Sequence, residues 1–199
     1  MNFNELNKKR YAAKSFTGEK MSQEQLNAIK DAIRYAPSSL NIQPWKVKIV
    51  DDKETLAKLY EHSFENMQVK NASHIFVFCA IKDLNPRKDS IFNSLKEINF
   101  PADKLKWYGD VVSRVLDNMN PQETLHYGQL QIYMALQNAW LACADQGIAG
   151  CAIGGFDPKG YTKVLEIGED LVPTIVLASG IPNDTPRPKM RVSEEEVFF

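Results

Sequence analysis

Residues 34–45 read RYAPSSLNIQPW and join a predicted helix to a predicted strand. Pro37 stops the helical pattern, because a proline disfavours helical backbone in the residue before it and has no N–H to donate. Pro44 pushes Gln43 towards extended backbone. The polar loop between the two prolines therefore has restricted freedom and is suited to holding a ligand. The alternative is an ordinary helix-to-strand connection, since Ser, Asn and Pro are common turn residues.

The elements on either side of this loop are well marked. Ser22 followed by Gln25 forms a capping box, and apolar residues at helical spacing continue from there to the loop. VKIV at 47–50 predicts the strand after the loop, and HIFVFCAI at 74–81 predicts a buried strand. The remaining predicted elements are helices at 3–9, 51–64, 88–99, 104–118 and 129–146 and strands at 149–153 and 172–179.

Residues 129–146, QLQIYMALQNAWLACADQ, give the strongest helical pattern, because the stretch is long, is apolar on more than one side and ends at Gly147. A helix buried on most faces in a chain of this size predicts contact with a partner subunit as well as with its own core. Asp157 and Pro158 are typical of the N-cap and first position of a further helix. Pro173 predicts that the last strand begins at a sheet edge or a bulge.

Composition limits the classes of function. With 199 residues, 44% of them hydrophobic, the chain is expected to form one domain over 1–199. Its 24 basic and 25 acidic residues give a net charge of −1, which argues against nucleic acid or an anionic membrane as a partner. No apolar run approaches the roughly 20 residues that cross a bilayer, so a cytoplasmic location is expected.

The cysteines and histidines show no metal-binding pattern. Cys79, Cys143 and Cys151 lie among apolar neighbours without a C-x-x-C pair, which predicts buried free thiols. The three histidines lack metal-ligand spacing, so no metal is expected.

Two pairs of basic residues lie near opposite ends of the chain. Arg10 and Lys14 fall on one side of the segment that carries them whether it is helical or extended, and Lys189 and Arg191 fall on one side of a proline-rich, extended tail. Each pair alone is typical of a solvated surface. A phosphorylated cofactor would explain both pairs, because Arg forks two hydrogen bonds to phosphate and Lys supplies a compact charge.

Two further stretches are candidates for ligand contact. In AGCAIGGFDP at 149–158, Gly154 and Gly155 permit positive φ and a close approach of backbone to a ligand, although a plain tight turn is the alternative. Neither phosphate-binding glycine pattern is present. Trp107 and Tyr108 are large aromatics in a charged segment, which suggests a mobile cover over a substrate pocket. The alternative is that both pack on the core.

Five motifs occur along the chain in the order KKRYAAKSF, YAPSSLNIQPW, ASHIFVFCA, AIGGFDP and PKMR. In this order they resemble the nitroreductase family of FMN-dependent NAD(P)H oxidoreductases of the oxygen-insensitive type. The resemblance implies an α+β fold, with a central, mainly antiparallel sheet flanked by helices and with residues 184–199 extended across the partner of a homodimer. Sequence spacing alone would also permit a doubly wound α/β sheet.

The resemblance also implies roles for particular residues. Arg10, Lys189 and Arg191 would hold the FMN phosphate, with Tyr11 and Ala12 nearby. Lys14 would lie by the pyrimidine edge of the ring, where a cation stabilises negative charge on reduction. The other implied flavin contacts are Ser38, Ser39 and Asn41 to the FMN of the other subunit, Gln68 to O2 or N3, and Gly154 and Gly155 near N5.

Three departures from the family pattern affect these roles. Arg10-Tyr11-Ala12 stands where relatives often have R-H-S or R-R-S, so a hydroxyl that would bond the cofactor is lost. Gln68 carries less charge than the Asn and Lys that relatives often place by the flavin, which would make the flavin harder to reduce. Gly154 replaces a common Glu and should leave a roomier, less acidic pocket.

The implied mechanism is ping-pong. NADH or NADPH passes hydride to the flavin and leaves, and a nitroaromatic, a quinone or a related small acceptor then takes the two electrons. No residue of the chain acts as a nucleophile. The rival interpretations are a flavin-binding or flavin-sequestering protein without turnover and a non-flavin ligand-binding domain in which both cation pairs are surface residues.

Overall fold

A computed structural model describes residues 1–199 and contains nine α-helices and four β-strands. The helices are Phe3–Lys9 (α1), Gln23–Arg34 (α2), Lys53–Glu61 (α3), Met67–Lys70 (α4), Asn85–Glu97 (α5), Ala102–Asp117 (α6), Pro121–Asp145 (α7), Pro158–Val164 (α8) and Glu194–Val197 (α9). The strands are Trp45–Val50 (β1), His74–Ile81 (β2), Ala149–Ile153 (β3) and Leu171–Gly180 (β4). A short 3₁₀ turn covers Ser39–Asn41.

The four strands form one sheet in the order β1-β2-β4-β3, and all neighbours are antiparallel. The predicted α+β class is therefore confirmed, and the doubly wound parallel alternative is wrong. Strand β4 lies inside the sheet, but β3 pairs only with its residues 176–180, so the start of β4 around Pro173 has a neighbouring strand on one side only and is locally an edge, as suggested. The bulge alternative is confirmed, because the register between β2 and β4 shifts between Phe78 and Cys79, and Cys79 faces Pro173. A proline at a bulge leaves the remaining ladder intact.

Helices cover both faces of the sheet because β2 alternates its side chains between two apolar clusters. Ile75 and Val77 join the cluster that contains Leu56 and Leu59 of α3. Phe76 and Phe78 join the cluster formed with α2 and α7. Every residue of β2 is buried, as its continuous apolar pattern predicted.

Helix α7 is the longest helix and begins at Pro121 rather than at residue 129. Asn120 caps it, since its Oδ1 accepts from the backbone N–H groups of Gln122 and Glu123, each at 3.0 Å. The helix ends before Gly147, whose φ of 72° is the left-handed backbone that glycine tolerates. Its apolar character on more than one side is confirmed by a buried row against the sheet and by a second row of exposed apolar side chains, namely Leu130, Tyr133 and Met134.

The remaining expectations have mixed outcomes. Cys79, Cys143 and Cys151 are free and buried, as predicted. The tail is exposed from residue 185 onward but is not extended throughout, because Glu194–Val197 form the short helix α9. None of the helices has the length and apolarity needed to cross a bilayer.

Candidate functional site

A pocket between the start and the end of the chain gathers basic side chains from both. We call it the cation pocket, and its basic residues are Arg10, Lys14, Arg187, Lys189 and Arg191. Four of these five belong to the two pairs singled out by spacing in the sequence. Arg187 is an addition. The first and last segments of the chain therefore meet at one site.

Backbone hydrogen bonds explain why the two segments meet. Arg10 ends α1 with φ −55° and ψ 130°, so the chain continues extended from this residue. Ala13 then donates its N–H to the Gly150 carbonyl of β3 at 3.1 Å, and Thr17 donates to the Ile181 carbonyl at 3.0 Å. The segment after α1 therefore lies beside the edge strand β3 and the start of the tail.

The charges in the cation pocket are not fully compensated. Burial lowers the pKa of Arg10, and the nearby charge of Arg191 lowers it further. Burial lowers the pKa of Lys189, and the charges of Arg10 and Arg191 lower it further. The Nε atom of Arg10 is buried and has no hydrogen-bond partner. An anion placed here would relieve the repulsion and satisfy this nitrogen.

Lys189 also fixes the tail against α1. Its Nζ donates to the Asn7 carbonyl at 2.8 Å and to the Arg10 carbonyl. An ammonium group has three donors. With two of them given to backbone oxygens, the third remains for a ligand in the pocket.

Asp184 is a residue of this site that sequence reasoning missed. Its carboxylate accepts from the Tyr11 hydroxyl at 2.9 Å and from the Lys14 backbone N–H at 2.7 Å. Burial, together with this carboxylate, raises the pKa of Tyr11 to about 12, so Tyr11 stays protonated as a donor. No local pattern reveals these bonds, because Asp184 lies at the other end of the chain.

Gln68 and Cys151 do not line the cation pocket but lie against the Ala13 backbone beside Lys14. The Nε2 of Gln68 lies 3.4 Å from the Ala13 carbonyl oxygen and 3.7 Å from the Cys151 sulfur. Burial raises the pKa of Cys151, and the Lys14 charge opposes that rise, which places the ammonium near this thiol. Gln68 thus contacts the residue before Lys14 and the thiol whose pKa the Lys14 charge affects.

The loop residues Ser38, Ser39 and Asn41 do not line the cation pocket of their own chain. Hydrogen bonds fix their loop instead. Ser38 Oγ accepts from the Gln43 N–H at 2.9 Å, and the Ser39 N–H donates to Gln131 of α7 at 2.9 Å. Asn41 adopts a φ of 45°. Gln43 adopts a φ of 46°, so the extended backbone predicted for the residue before Pro44 is wrong, and these hydrogen bonds hold the loop instead.

The glycine turn and the aromatic pair also lie apart from the cation pocket. Gly154 and Gly155 do not adopt positive φ, so the conformational reason suggested for them is wrong. Added Cβ atoms would make ordinary contacts there, at 3.7 Å to Ile175 and 3.8 Å to Phe64. The Tyr108 hydroxyl donates to the Leu40 carbonyl, and its ring packs on the core, whereas Trp107 is 68% exposed.

Comparison with known proteins identifies the family of the chain. The model of the family described as "Nitroreductase family" matches residues 8–181. The chain belongs to the nitroreductase family. The predicted membership is thereby confirmed.

Two relatives of this nitroreductase-family chain match it nearly end to end. A Streptococcus pyogenes protein named "Putative NAD(P)H nitroreductase" is 30% identical over 199 residues, covering 100% of this chain and 98% of that protein. A crystal structure of a nitroreductase family protein from Streptococcus pneumoniae is 29% identical with a TM-score of 0.89, covering 100% and 99%.

A third match is a crystal structure from Exiguobacterium sibiricum that was solved in complex with FMN. Its TM-score is 0.89 at 20% identity, with 99% of this chain and 96% of that chain covered. At this identity the match shows that the nitroreductase-family chain shares its fold.

Proposed function

We propose that the chain is an FMN-dependent oxidoreductase that takes two electrons from NADH or NADPH by a ping-pong mechanism and passes them to nitroaromatic, quinone or related acceptors. Bound FMN would supply the chemistry, because its N5 accepts and returns hydride. We propose further that residues 1–199 form a single domain of this oxygen-insensitive type and act in the cytoplasm.

The observation that carries the proposal is the unpartnered, buried Nε of Arg10 among mutually repelling cations. A phosphate monoester brings close to two negative charges and several acceptor oxygens, which suits a forked guanidinium and an ammonium group. Arg10, Lys189 and Arg191 would hold this phosphate. Tyr11 and Ala12 would hold the backbone beside it, since Tyr11 is anchored through Asp184.

The rest of the chain would act by position and charge rather than as a nucleophile. The Lys14 ammonium would stabilise negative charge that develops at the pyrimidine edge of the flavin. Gln68 would hydrogen-bond the same edge from beside Lys14. Gly154 and Gly155 would present backbone near N5, and Trp107 and Tyr108 would border the substrate pocket.

The loop of Ser38, Ser39 and Asn41 would complete the site of a second subunit. This proposal is supported by the distance of the loop from its own cation pocket and by the exposed apolar face of α7. The tail from residue 184 would cross the same partner. Each FMN site would then span the interface of a homodimer.

Colour and bleaching test the proposed function. Purified protein should be yellow, and anaerobic NADH or NADPH should bleach it within one turnover time. A protein that stays colourless after incubation with FMN would refute the flavin assignment. A yellow protein that neither reductant bleaches would be a flavin binder without turnover.

Acceptor preference is tested by steady-state rates with nitroaromatics and quinones, each with both reductants. We expect parallel lines in double-reciprocal plots, because the first product leaves before the acceptor binds. Intersecting lines would contradict the ping-pong order.

A further inference from the structure

Trp140 on α7 lies directly against the arginine of the cation pocket. The Cζ atom of Arg10 is 4.4 Å from the centroid of the indole ring. A guanidinium over an indole is attracted by the negative face of the ring, and Trp is the strongest partner for this contact. The ring therefore holds the one basic group of the pocket that has a buried, unpartnered nitrogen.

The N–H of the same indole ties together the two strands of backbone that meet beneath Arg10. Trp140 Nε1 donates to the Tyr11 carbonyl at 3.2 Å and to the Gly150 carbonyl at 3.0 Å. The Gly150 carbonyl also accepts from Ala13 at 3.1 Å. One side chain thus positions both the guanidinium of Arg10 and the backbone that follows it.

The indole has little freedom to move. A Cβ added at Gly150 would come within 2.9 Å of Trp140 Cδ1 and 3.0 Å of a Leu177 methyl. Real Cβ atoms almost never approach so closely, so β3 carries glycine where the indole edge lies. The ring is held between β3 on one side and Arg10 on the other.

We propose that Trp140 is a positioning residue that fixes the Arg10 guanidinium for the phosphate of the flavin. This inference rests on the proposed function and adds a determinant of selectivity within it. Because Trp140 acts through Arg10, its contribution applies to phosphorylated flavin and not to the ring system. Trp140 therefore sets how strongly the protein prefers FMN to riboflavin.

The test compares FMN with riboflavin, which lacks the phosphate, on the full-length protein after its flavin has been removed. Dissociation constants are measured by flavin fluorescence for wild type, Trp140→Phe and Trp140→Leu. Trp140→Leu removes both the ring and the N–H and should weaken FMN about tenfold, as expected for the loss of a half-buried cation–π contact. Trp140→Phe keeps a ring over Arg10 and should lose less. Riboflavin affinity should change less than about twofold in both, which is the selectivity expected of a group that acts on phosphate alone.

A double-mutant cycle shows whether Trp140 acts through Arg10. On an Arg10→Gln background, Trp140→Leu should cause no further loss of FMN affinity, because the group that it positions is gone. Asn138→Ala is the matched control: it removes the hydrogen bond from α7 to the Ala32 carbonyl at 3.4 Å and should leave the FMN-to-riboflavin ratio unchanged.

Each result decides the inference. Equal losses for FMN and riboflavin would make Trp140 a purely structural residue and overturn the proposal, as would unchanged FMN affinity in both variants. Trp140→Phe keeps the test valid if Trp140→Leu does not fold. If wild type itself binds riboflavin as tightly as FMN, the proposed phosphate site fails, and the inference fails with it. If wild type prefers FMN to riboflavin but the Trp140 variants keep that preference, the proposed function stands and the positioning role of Trp140 fails.

Discussion

Arg191 is the one charged residue whose charge lowers the pKa of Arg10, and its effect is second to that of burial. Both lie in the cation pocket, yet they belong to segments at opposite ends of the chain. Holding like charges together is unfavourable without a counter-ion. Binding an anion at this site should therefore involve both arginines.

Arg191→Ala should weaken FMN by about 1.5–3 kcal/mol, the range for a hydrogen bond to a charged group. The reason is the loss of a forked contact to phosphate. Fluorescence titration of the flavin-free protein measures the change. Arg34→Ala, which removes an exposed arginine stacked on Tyr35, is the control and should leave the affinity unchanged. Equal affinity of Arg191→Ala and wild type would contradict the phosphate assignment.

Replacement of Lys14 is expected to change the midpoint potential of the bound flavin more than its affinity. Lys14 lines the cation pocket, and its charge is close enough to the Cys151 thiol to oppose the rise in the pKa of that thiol. Lys14→Ala should lower the midpoint potential of the bound flavin by about 20–30 mV, or roughly 1–1.4 kcal/mol for two electrons. Lys20→Ala, at an exposed ion pair with Asp51, is the control. An anaerobic redox titration that gives the same potential for Lys14→Ala and wild type would refute this role.

Spacing in the sequence identified Arg10, Lys14, Lys189 and Arg191, because residues two or four apart fall on one side of an extended segment. It did not identify Asp184 or Trp140. Their contacts join residues more than a hundred positions apart. An acid in a polar tail and an aromatic in an apolar helix have no local signature. Only the folded chain shows that Trp140 lies against Arg10 and that Asp184 accepts from Tyr11 and Lys14.

The start of helix α7 was predicted eight residues too late, although the sequence contains a signal for it. Its first two turns are polar and contain Gly128, so hydrophobic periodicity alone begins the helix at residue 129. Asn120, Pro121 and Glu123 nevertheless form an N-terminal signature, with a capping box and a proline at the first position. The cap carried the missing signal. By contrast, both ends of β2 were predicted correctly, because the apolar run after His74 is continuous to the end of the strand.

Two glycines allow a matched test of packing at element level. Gly150→Ala should destabilise the protein by about 1–3 kcal/mol, because the new methyl would press on Trp140 and Leu177. Gly128→Ala should be neutral or stabilise by up to about 1 kcal/mol, since its Cβ would meet Pro44 and Ala80 at ordinary distances of 3.6–3.8 Å within a helix. Urea denaturation followed by circular dichroism measures both. Similar midpoints for the two variants would contradict the close fit of the indole.

At the scale of the whole molecule, sequence patterns supplied most of the elements but not their arrangement. Alternating helices and strands permit either a parallel or an antiparallel sheet. The order β1-β2-β4-β3 depends on long-range pairing that no local pattern encodes. Family resemblance supplied the antiparallel character of the sheet but not this order, and the crossing of the tail over a partner subunit remains a prediction.

The exposed face of α7 predicts that oligomeric state and cofactor retention change together. Leu130 is 56% exposed in the single chain, beside other apolar side chains of the same helix. Leu130→Glu should place a charge in the proposed homodimer interface and yield monomers that release FMN. Light scattering after gel filtration, with flavin absorbance recorded on the same peak, measures both properties. Ile98→Glu, at an exposed position beyond α5, is the control and should stay dimeric and yellow.

A monomer of Leu130→Glu that keeps its FMN would separate the two properties. It would show that Ser38, Ser39 and Asn41 do not serve the flavin of the partner.

Chemical labelling of the three buried thiols would report where and when the fold opens locally. Cys79 lies in β2, Cys143 in α7 and Cys151 in β3. Burial raises the pKa of Cys79 and Cys143 to about 12, so neither reacts as a thiolate in the closed protein. A thiol-labelling reagent followed by mass spectrometry would therefore time the exposure of the sheet centre, the long helix and the sheet edge separately. Adding flavin should slow the labelling of Cys151 most, because Cys151 follows Gly150, whose carbonyl accepts from the Trp140 ring that lies against Arg10.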